Sequence, residues 1–529
     1  MKRSSLIFFN VFNFFVLYLL LCPFVFANNL SISNVSLEQR DPSANTAVVE
    51  FDVSWENSWR TKINHDAIWL TIRLKNPSVS PPNKKLCQIS ASGLNPAGTS
   101  TGSNASLELS VSTDQKGAFL RPAFYGVNNS VSTTNVQVTI DYSSCGFSST
   151  DSVKVSVVGL EMVLIPEGAF YAGDYNGSTA ALQEGSSDSD PWYISGESVV
   201  SVTNASSNGY RYVSAGNAGE DVTGASFTIS TDFPKGYGAF YVMKYEITEG
   251  QWVEFFNAIP SSAARVNRDL TNSAHKNSDA VKYRNTVSCS GSPLTCASSR
   301  SVRAVNYLTW MDLAAFLDWM ALRPMTELEY EKMARGSLLA VSGEFSWGTT
   351  SITAAKTISG SSEDGSETIT NSEANANYNN QTFTGGDSSN GVDYAQGPLR
   401  GGVFATASST RVSAGSGYYG VMELSGNVRE RIVTIGHSTG RSFTAGHGDG
   451  VLTTASGYEG NANVTDWPGT DATASRGVTG ADGSGFRGGA WDDQLSGVRL
   501  RISDRNDAAK SDTSAYNNAG GRGVRTYEN

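Results

Sequence analysis

No cysteine follows Cys296, and only four histidines, His65, His275, His437 and His447, are spread over 529 residues. Cysteine and histidine nowhere meet at the close spacing of a zinc ligand set, which argues against a structural zinc site. Charge is also scarce: Asp, Glu, Lys and Arg make up 17% of the chain, with 50 acidic against 39 basic residues. The net charge of −11 would repel phosphate backbones and anionic lipid, so nucleic acid is not an expected partner. Beyond the first 27 residues no apolar run is long enough to span a bilayer. What the chain has instead is 53 glycines, plentiful aromatics and long Ser/Thr/Asn stretches, the composition of a loop-rich, strand-rich extracellular protein.

Residues 1–27 carry Lys2 and Arg3, an apolar run from Leu6 to Phe26, and the small-residue positions Val25 and Ala27. This is a signal peptide pattern, and it implies a secreted, periplasmic or cell-surface protein with no membrane span after cleavage. Leu21 is too bulky for lipoprotein processing at Cys22. Cleavage leaves Cys87, Cys145, Cys289 and Cys296, an even number in an oxidising compartment. Pairing within regions predicts Cys87–Cys145 and Cys289–Cys296, worth about 4 and about 2.5 kcal/mol by the chain-entropy argument.

Residues 28–158 read as a β-sandwich domain. In Ala47–Trp55 the residues Val49, Phe51, Val53 and Trp55 fall on one face, with Glu50, Asp52 and Ser54 on the other. A second domain is expected over 160–529, opening at Met162–Phe170 and carrying two loop-rich insertions, 175–224 and 337–416. A helix is expected around Trp252, Phe255 and Phe256. A second spans Met311–Leu322, with Leu313, Phe316, Leu317 and Met320 at helical spacing. A third starts at the capping-box pair Thr326 and Glu329 and ends at Gly336. The C-terminal stretch Phe486-Arg-Gly-Gly-Ala-Trp491, Val498–Arg501 and Gly520–Arg525 combines paired glycines for close backbone approach, a large Trp anchor and arginines able to fork onto carboxylates or carbonyls. These residues read as structural.

Several motifs in order resemble the formylglycine-generating enzyme, or sulfatase-modifying factor, family. They are Met162–Phe170, Glu246–Thr248, Val305–Asp312, Arg323–Glu331, Trp347-Gly348, Ser425–Glu430 and Arg487–Trp491. Here Leu308 replaces a Val, Pro324-Met325 replaces Leu-Pro and Tyr330 replaces a Trp of the family pattern. The resemblance implies an α+β, C-type-lectin-like fold with few short helices and long loops, preceded here by the all-β sandwich domain. The family's enzymes use two cysteines, four and nine residues after the second glycine, to hold copper. Those places are Asp493 and Val498 in this chain, and a carboxylate with an aliphatic side chain cannot replace a soft thiolate pair. Copper and formylglycine generation are therefore not expected, and enzymatic activity is doubtful.

Another branch of the family resembles the variable proteins of diversity-generating retroelements, which display a randomised C-terminal patch for ligand binding. The resemblance puts that patch at Trp491, Asp492, Asp493, Gln494, Ser496, Asn506, Asp507, Tyr516, Asn517 and Asn518; ordinary polar surface is the alternative. The ligand, protein or glycan, is unspecified. Structural Ca2+ is expected from matching segments: Asn427 and Glu430 with the Gly426 and Val428 carbonyls, and Asn377 and Asp393 with the Tyr378 and Ala395 carbonyls, all hard oxygen donors. A bracing turn is the alternative for Asn427 and Glu430. A divergent enzyme using Asp492, Asp493 and His447 is the alternative function.

Overall fold

The computed structural model describes residues 30–81, 83–94, 106–175, 182–184, 190–203, 209–212, 219–221, 226–494 and 498–528. Residues 1–27, where a signal peptide is expected, much of 175–224 and Ser496 lie outside them. The chain is mostly β, with few and short helices. Among the described residues no helix is long and apolar enough to cross a membrane.

The N-terminal strands are β1 (Ser31–Asp41), β2 (Thr46–Arg60), β3 (Asp66–Lys75), β4 (Lys85–Leu94), β5 (Leu107–Val111), β6 (Ala118–Pro122), β7 (Gly126–Asp141) and β8 (Lys154–Ile165). Strand β2 shows the expected alternation: Ala47, Val49, Phe51, Val53 and Trp55 are buried and the residues between them less so. One wall runs β1-β2-β7-β4, and β4 also pairs with β3, which continues to β6 and β8. The β2 face packs onto Ile68, Leu70, Ile72 and Leu74 of β3 in one core. The disulfide Cys87–Cys145 lies in that core, and Cys289–Cys296 joins a two-stranded ribbon further on; both expected pairings are present.

The boundary expected between residues 158 and 160 falls inside β8, which runs without interruption from Lys154 to Ile165. Strand β3 explains why. Its first nine residues are all buried, so both of its faces are covered. Ile68, Leu70 and Ile72 face the core shared with β2, while Ala67 and Trp69 face the largest core among the described residues together with Leu160 and Met162 of β8. Trp69 Nε1 donates to the Met320 carbonyl at 2.8 Å, and the Arg73 guanidinium lies 4.2 Å from the Trp319 ring. A strand buried on both faces reads as a continuous apolar run and shows no alternation that would mark a domain edge. Beyond β8 the same sheet continues into Phe240–Met243, which pairs with β8 on one side and with Val524–Thr526 on the other.

The helices form where the sequence places them. Helix α1 (Glu249–Ala258) is capped by Thr248, α2 (Ser262–Asn267) is a short turn, and α3 (Trp310–Trp319) and α4 (Glu327–Arg335) open on capping boxes at Thr309 and Thr326. Trp252 and Phe255 of α1 pack with Leu313, Phe316 and Leu317 of α3. Helix α4 ends at Gly336, whose φ of 69° is a left-handed conformation that glycine adopts without strain. Segment 337–416, low in aliphatics, is held by two small clusters, one around Phe345, Trp347 and Tyr378 and one around Ile358, Phe383 and Leu399. Buried Glu363 and Asp387 fix it further through Arg284, Arg300 and Arg303.

Candidate binding cleft

Strand Arg429–Val433 is central to the site. It pairs antiparallel with Ser484–Arg487 and parallel with Ala519–Gly520, so the Asn427 turn, the Gly-Gly motif and the chain end come together. Arg487 and Arg505 both grip Glu327 of α4, and Arg487 also reaches Glu331; all four side chains are fully buried. Arg522 forks onto both oxygens of Glu430 at 2.7 Å and onto the Met243, Lys244 and Met422 carbonyls. Arg431 takes the carbonyls of Leu308, Asp512 and Ser514. The arginines of the C-terminal stretch are thus structural, as their spacing suggests. Gly488 and Gly489 have φ of 90° and 66°, and a Cβ on Gly488 would stand 2.8 Å from the Leu424 carbonyl oxygen.

Asn427, at φ 64°, gives its amide to Glu246 and accepts from the Leu399 amide at 2.8 Å and from Asn377 Nδ2 at 3.0 Å. Burial pushes the Glu246 carboxyl well above its usual range. The Asn427 backbone carbonyl accepts from the Trp491 amide at 2.9 Å. The side-chain donors expected for the first calcium set are therefore engaged: Glu430 faces a guanidinium, and a cation there would have to displace Arg522. In the second set, Asp393 pairs with Lys282 at 2.9 Å, its backbone carbonyl accepts from the Arg284 amide, and the Ala395 carbonyl accepts from the Phe383 amide. Asn377 gives its amide to the Gly397 carbonyl and to Asn427. As placed, the carboxylates of both donor sets already face cationic side chains. Copper does not fit, since Asp493 offers a hard carboxylate already bound to Arg499 and to the Ala490 amide.

The residues of the expected patch fall into two adjoining groups. Trp491 is buried, with its indole N–H on the Asn517 carbonyl and its ring 5.5 Å from that of Tyr283. Asp492 accepts from Asn518 Nδ2 at 2.8 Å, and Gln494 is exposed. The second group belongs to a narrow cleft lined by Arg429, Phe486, Arg487, Gly488, Gly489, Asp493, Arg499, Asp504 and Asp507. Arg499 bridges Asp493 at 3.3 Å and Asp507 at 2.9 Å. The Asn506 amide donates to Asp504 Oδ1, and burial raises the Asp504 carboxyl to about 6. Burial also raises Asp493. The Arg429 guanidinium stacks between the rings of Phe486 and Tyr516, 4.4 and 4.6 Å away, while Arg431 stacks on Phe486 at 4.5 Å.

Arg429, Arg499, Asp504 and Tyr283 are site residues that the motif reading missed. Arg429 and Arg431 had a readable signal, a period-two pair of arginines on one strand face. Tyr283 had none, because it arrives from a loop distant in sequence. Tyr283 and Arg284 have φ of 44° and 65°, as do Asn379 and Asn380 at 68° and 48°. The Asn379 and Asn380 amides donate to the Asp493 and Trp491 carbonyls. His447, by contrast, accepts from the Thr526 amide; burial, with Arg525 and Arg323 nearby, pushes its pKa well below the usual value. It shares no bonding partner with Asp492 or Asp493. His437 caps the turn at Ser438.

No curated protein matches the chain. The family described as the sulfatase-modifying factor enzyme 1-like domain matches residues 217–527. The chain belongs to the formylglycine-generating enzyme, or sulfatase-modifying factor, family.

Proposed function

We propose that this is a secreted or surface-exposed, non-catalytic binding protein whose sulfatase-modifying-factor-like domain presents a ligand-binding patch near its C-terminus. The observation that carries the reading is the cleft beside Gly488-Gly489. Where the family's copper chemistry needs a thiolate, Asp493 is tied to Arg499 and the Ala490 amide, and the surrounding side chains offer charge-assisted hydrogen bonds. Strained backbone at Tyr283, Arg284, Asn379 and Asn380 around Trp491 supports a binding role, since such strain gathers at ligand sites. Purified protein supplied with copper, oxygen and a thiol peptide should consume no oxygen; metal-dependent turnover would sink the reading. Diversification by a retroelement belongs to the same proposal. It predicts a near-copy of the Arg487–Arg525 coding segment, differing mainly at adenines, beside a reverse transcriptase gene.

The second reading, a divergent enzyme, is favoured by one observation: Asp504, raised to about 6 in a cleft, is poised as an acid or base near neutral pH. A turnover abolished by Asp504→Asn, with the fold intact, would establish it.

A further inference from the structure

Strand β8 meets β3 along ten successive residue pairs, but its other edge meets Phe240–Met243 only at Met162–Ile165. The Leu164 amide donates to the His65 carbonyl, and the Lys244 amide to the Glu161 carbonyl. Even-numbered residues of β8 therefore turn their backbone groups to β3, and odd-numbered ones turn theirs to the other edge. Past the end of Phe240–Met243, Val155, Val157 and Gly159 face no strand, and their outward N–H and C=O groups have no hydrogen-bond partner among the described residues. This edge is recessed: Val157 and Val158 are 9% and 6% exposed. Recessed backbone groups without partners are costly, so the row calls for a complement.

The edge borders a groove of about 260 Å³ between Leu30 and Ile32, at the start of β1, and Gln251 and Glu254 of α1. One water needs roughly 10–15 Å³, so the groove has room for far more than a single water. An anion finds no free donors at the start of α1, where the Glu249 and Gly250 amides already donate to the Arg303 and Ser301 carbonyls. A second strand repeats its N–H and C=O groups at the interval of β8 and so meets the whole row. The side chains of Val155 and Val157 enter the core shared with β2, and that of Val158 enters the larger core that holds Trp252 of α1. A strand added at this edge would likewise turn alternate side chains to apolar Leu30 and Ile32, and to Gln251 and Glu254. Glu254 has a 3.4 Å contact with Lys84 and a side chain 41% exposed, which leaves it open to a basic group.

We propose that the free edge of β8 is a docking site for one extended segment of a partner protein, added as a further strand, in which apolar residues alternate with basic ones. Val155, Val157 and Gly159 exchange backbone hydrogen bonds with it, Leu30 and Ile32 receive its apolar side chains, and Glu254 receives a basic one. The site shares no residue with the C-terminal patch and does not depend on what that patch binds.

The test uses the full chain and a fluorescein-labelled eight-residue peptide of alternating valine and lysine, read by anisotropy and by hydrogen exchange resolved to single amides. The peptide should bind at least about tenfold more tightly than one with its valines and lysines in two blocks, and should slow exchange at Val155, Val157 and Gly159. N-methylation of one alternate set of its amides should abolish binding, and of the other set leave it within about twofold. Glu254→Lys, at a surface position, should keep the wild-type Tm, weaken binding by about tenfold and favour a peptide of alternating valine and glutamate. No binding, equal binding of the block peptide, or equal loss from both methylated sets would overturn the proposal. So would protection of Val155, Val157 and Gly159 in the free monomer, which would put another segment of this chain in the groove, or protection that appears with dimer formation on sedimentation, which would put a second copy there.

Discussion

Glu327 is the carboxylate on which the C-terminal motif closes, and its replacement by Gln gives a sharp prediction. Its two oxygens accept from Arg487 Nη1 at 3.0 Å, from Arg505 Nε at 2.6 Å and Nη2 at 2.9 Å, from the Thr434 hydroxyl and from the Ile435 amide. None of the three ionised side chains is exposed. Burial alone would raise the Glu327 carboxyl, but Arg505 and Arg487 hold it below its ordinary value. A carboxyl depressed in the folded state contributes stability that is complete above its unfolded pKa of about 4.3 and lost as pH falls through the folded value. At neutral pH the full contribution is present. Glu327→Gln keeps the shape, removes the anion that Arg505 and Arg487 share while leaving Arg487 its contact with Glu331, and turns an N–H2 toward one of the guanidiniums. Breaking a buried pair in this way costs about 3–5 kcal/mol. At roughly 1 °C per kcal/mol for a unit of about 500 residues, Tm should fall by about 3–5 °C at pH 7 in scanning calorimetry. Adding Arg505→Met to the variant should cost much less than the same change in the wild type, because the two share one interaction. A Tm within about 2 °C of wild type, or additive losses, would refute the assignment of Glu327 as the closing carboxylate.

Asp504 should behave in the opposite sense. Its pKa is raised by burial to about 6, so the folded state holds its proton more tightly than the unfolded chain, and stability declines as pH rises from about 4 to about 6. Asp504→Asn should therefore be more stable than wild type by about 1–3 kcal/mol at pH 7.5 and indistinguishable at pH 4, measured by thermal unfolding across that range; destabilisation at pH 7.5 would refute it. Calcium added to chelator-treated protein should leave Tm unchanged, because Glu430 already faces Arg522 and Asp393 faces Lys282; a rise of several degrees would show that these partners yield to the ion. A chain beginning at residue 160 should fail to fold as a soluble unit, since it strips β3 from β8 and uncovers Leu160, Met162 and their neighbours; a cooperative transition and dispersed NMR spectrum from that fragment would refute it.

Elements set by local chemistry were legible in the sequence. Thr326 and Glu329 announced α4, alternation from Val49 to Trp55 announced β2, and an even cysteine count in an oxidising setting gave both disulfides. The motif order identified the family from residues scattered along some three hundred positions. What could not be read depends on contacts distant in sequence. The sandwich shares a strand with the following domain because β3 is buried on both faces, and such a strand looks the same whether it lies within one domain or between two. Segment 337–416 reads as loop because its anchors are single aromatics and the pairings of Glu363 and Asp387 with arginines about 60 to 90 residues upstream. The cleft was half visible: Asp493 and Asp507 were expected, whereas Asp504 becomes informative only once its second oxygen is seen to lack a partner.

The ladder between β3 and β8 has a mechanical consequence. Ten successive residue pairs, from Asp66 opposite Val163 to Lys75 opposite Lys154, join the two halves. If the sandwich is held at a surface and the cleft is pulled by a bound partner, force along these strands is shared by many rungs loaded at once, and the pair acts as a shear clamp. A protein anchored through one half and loaded through the other would then yield first in its peripheral loops, with the seam between the halves among the last parts to part.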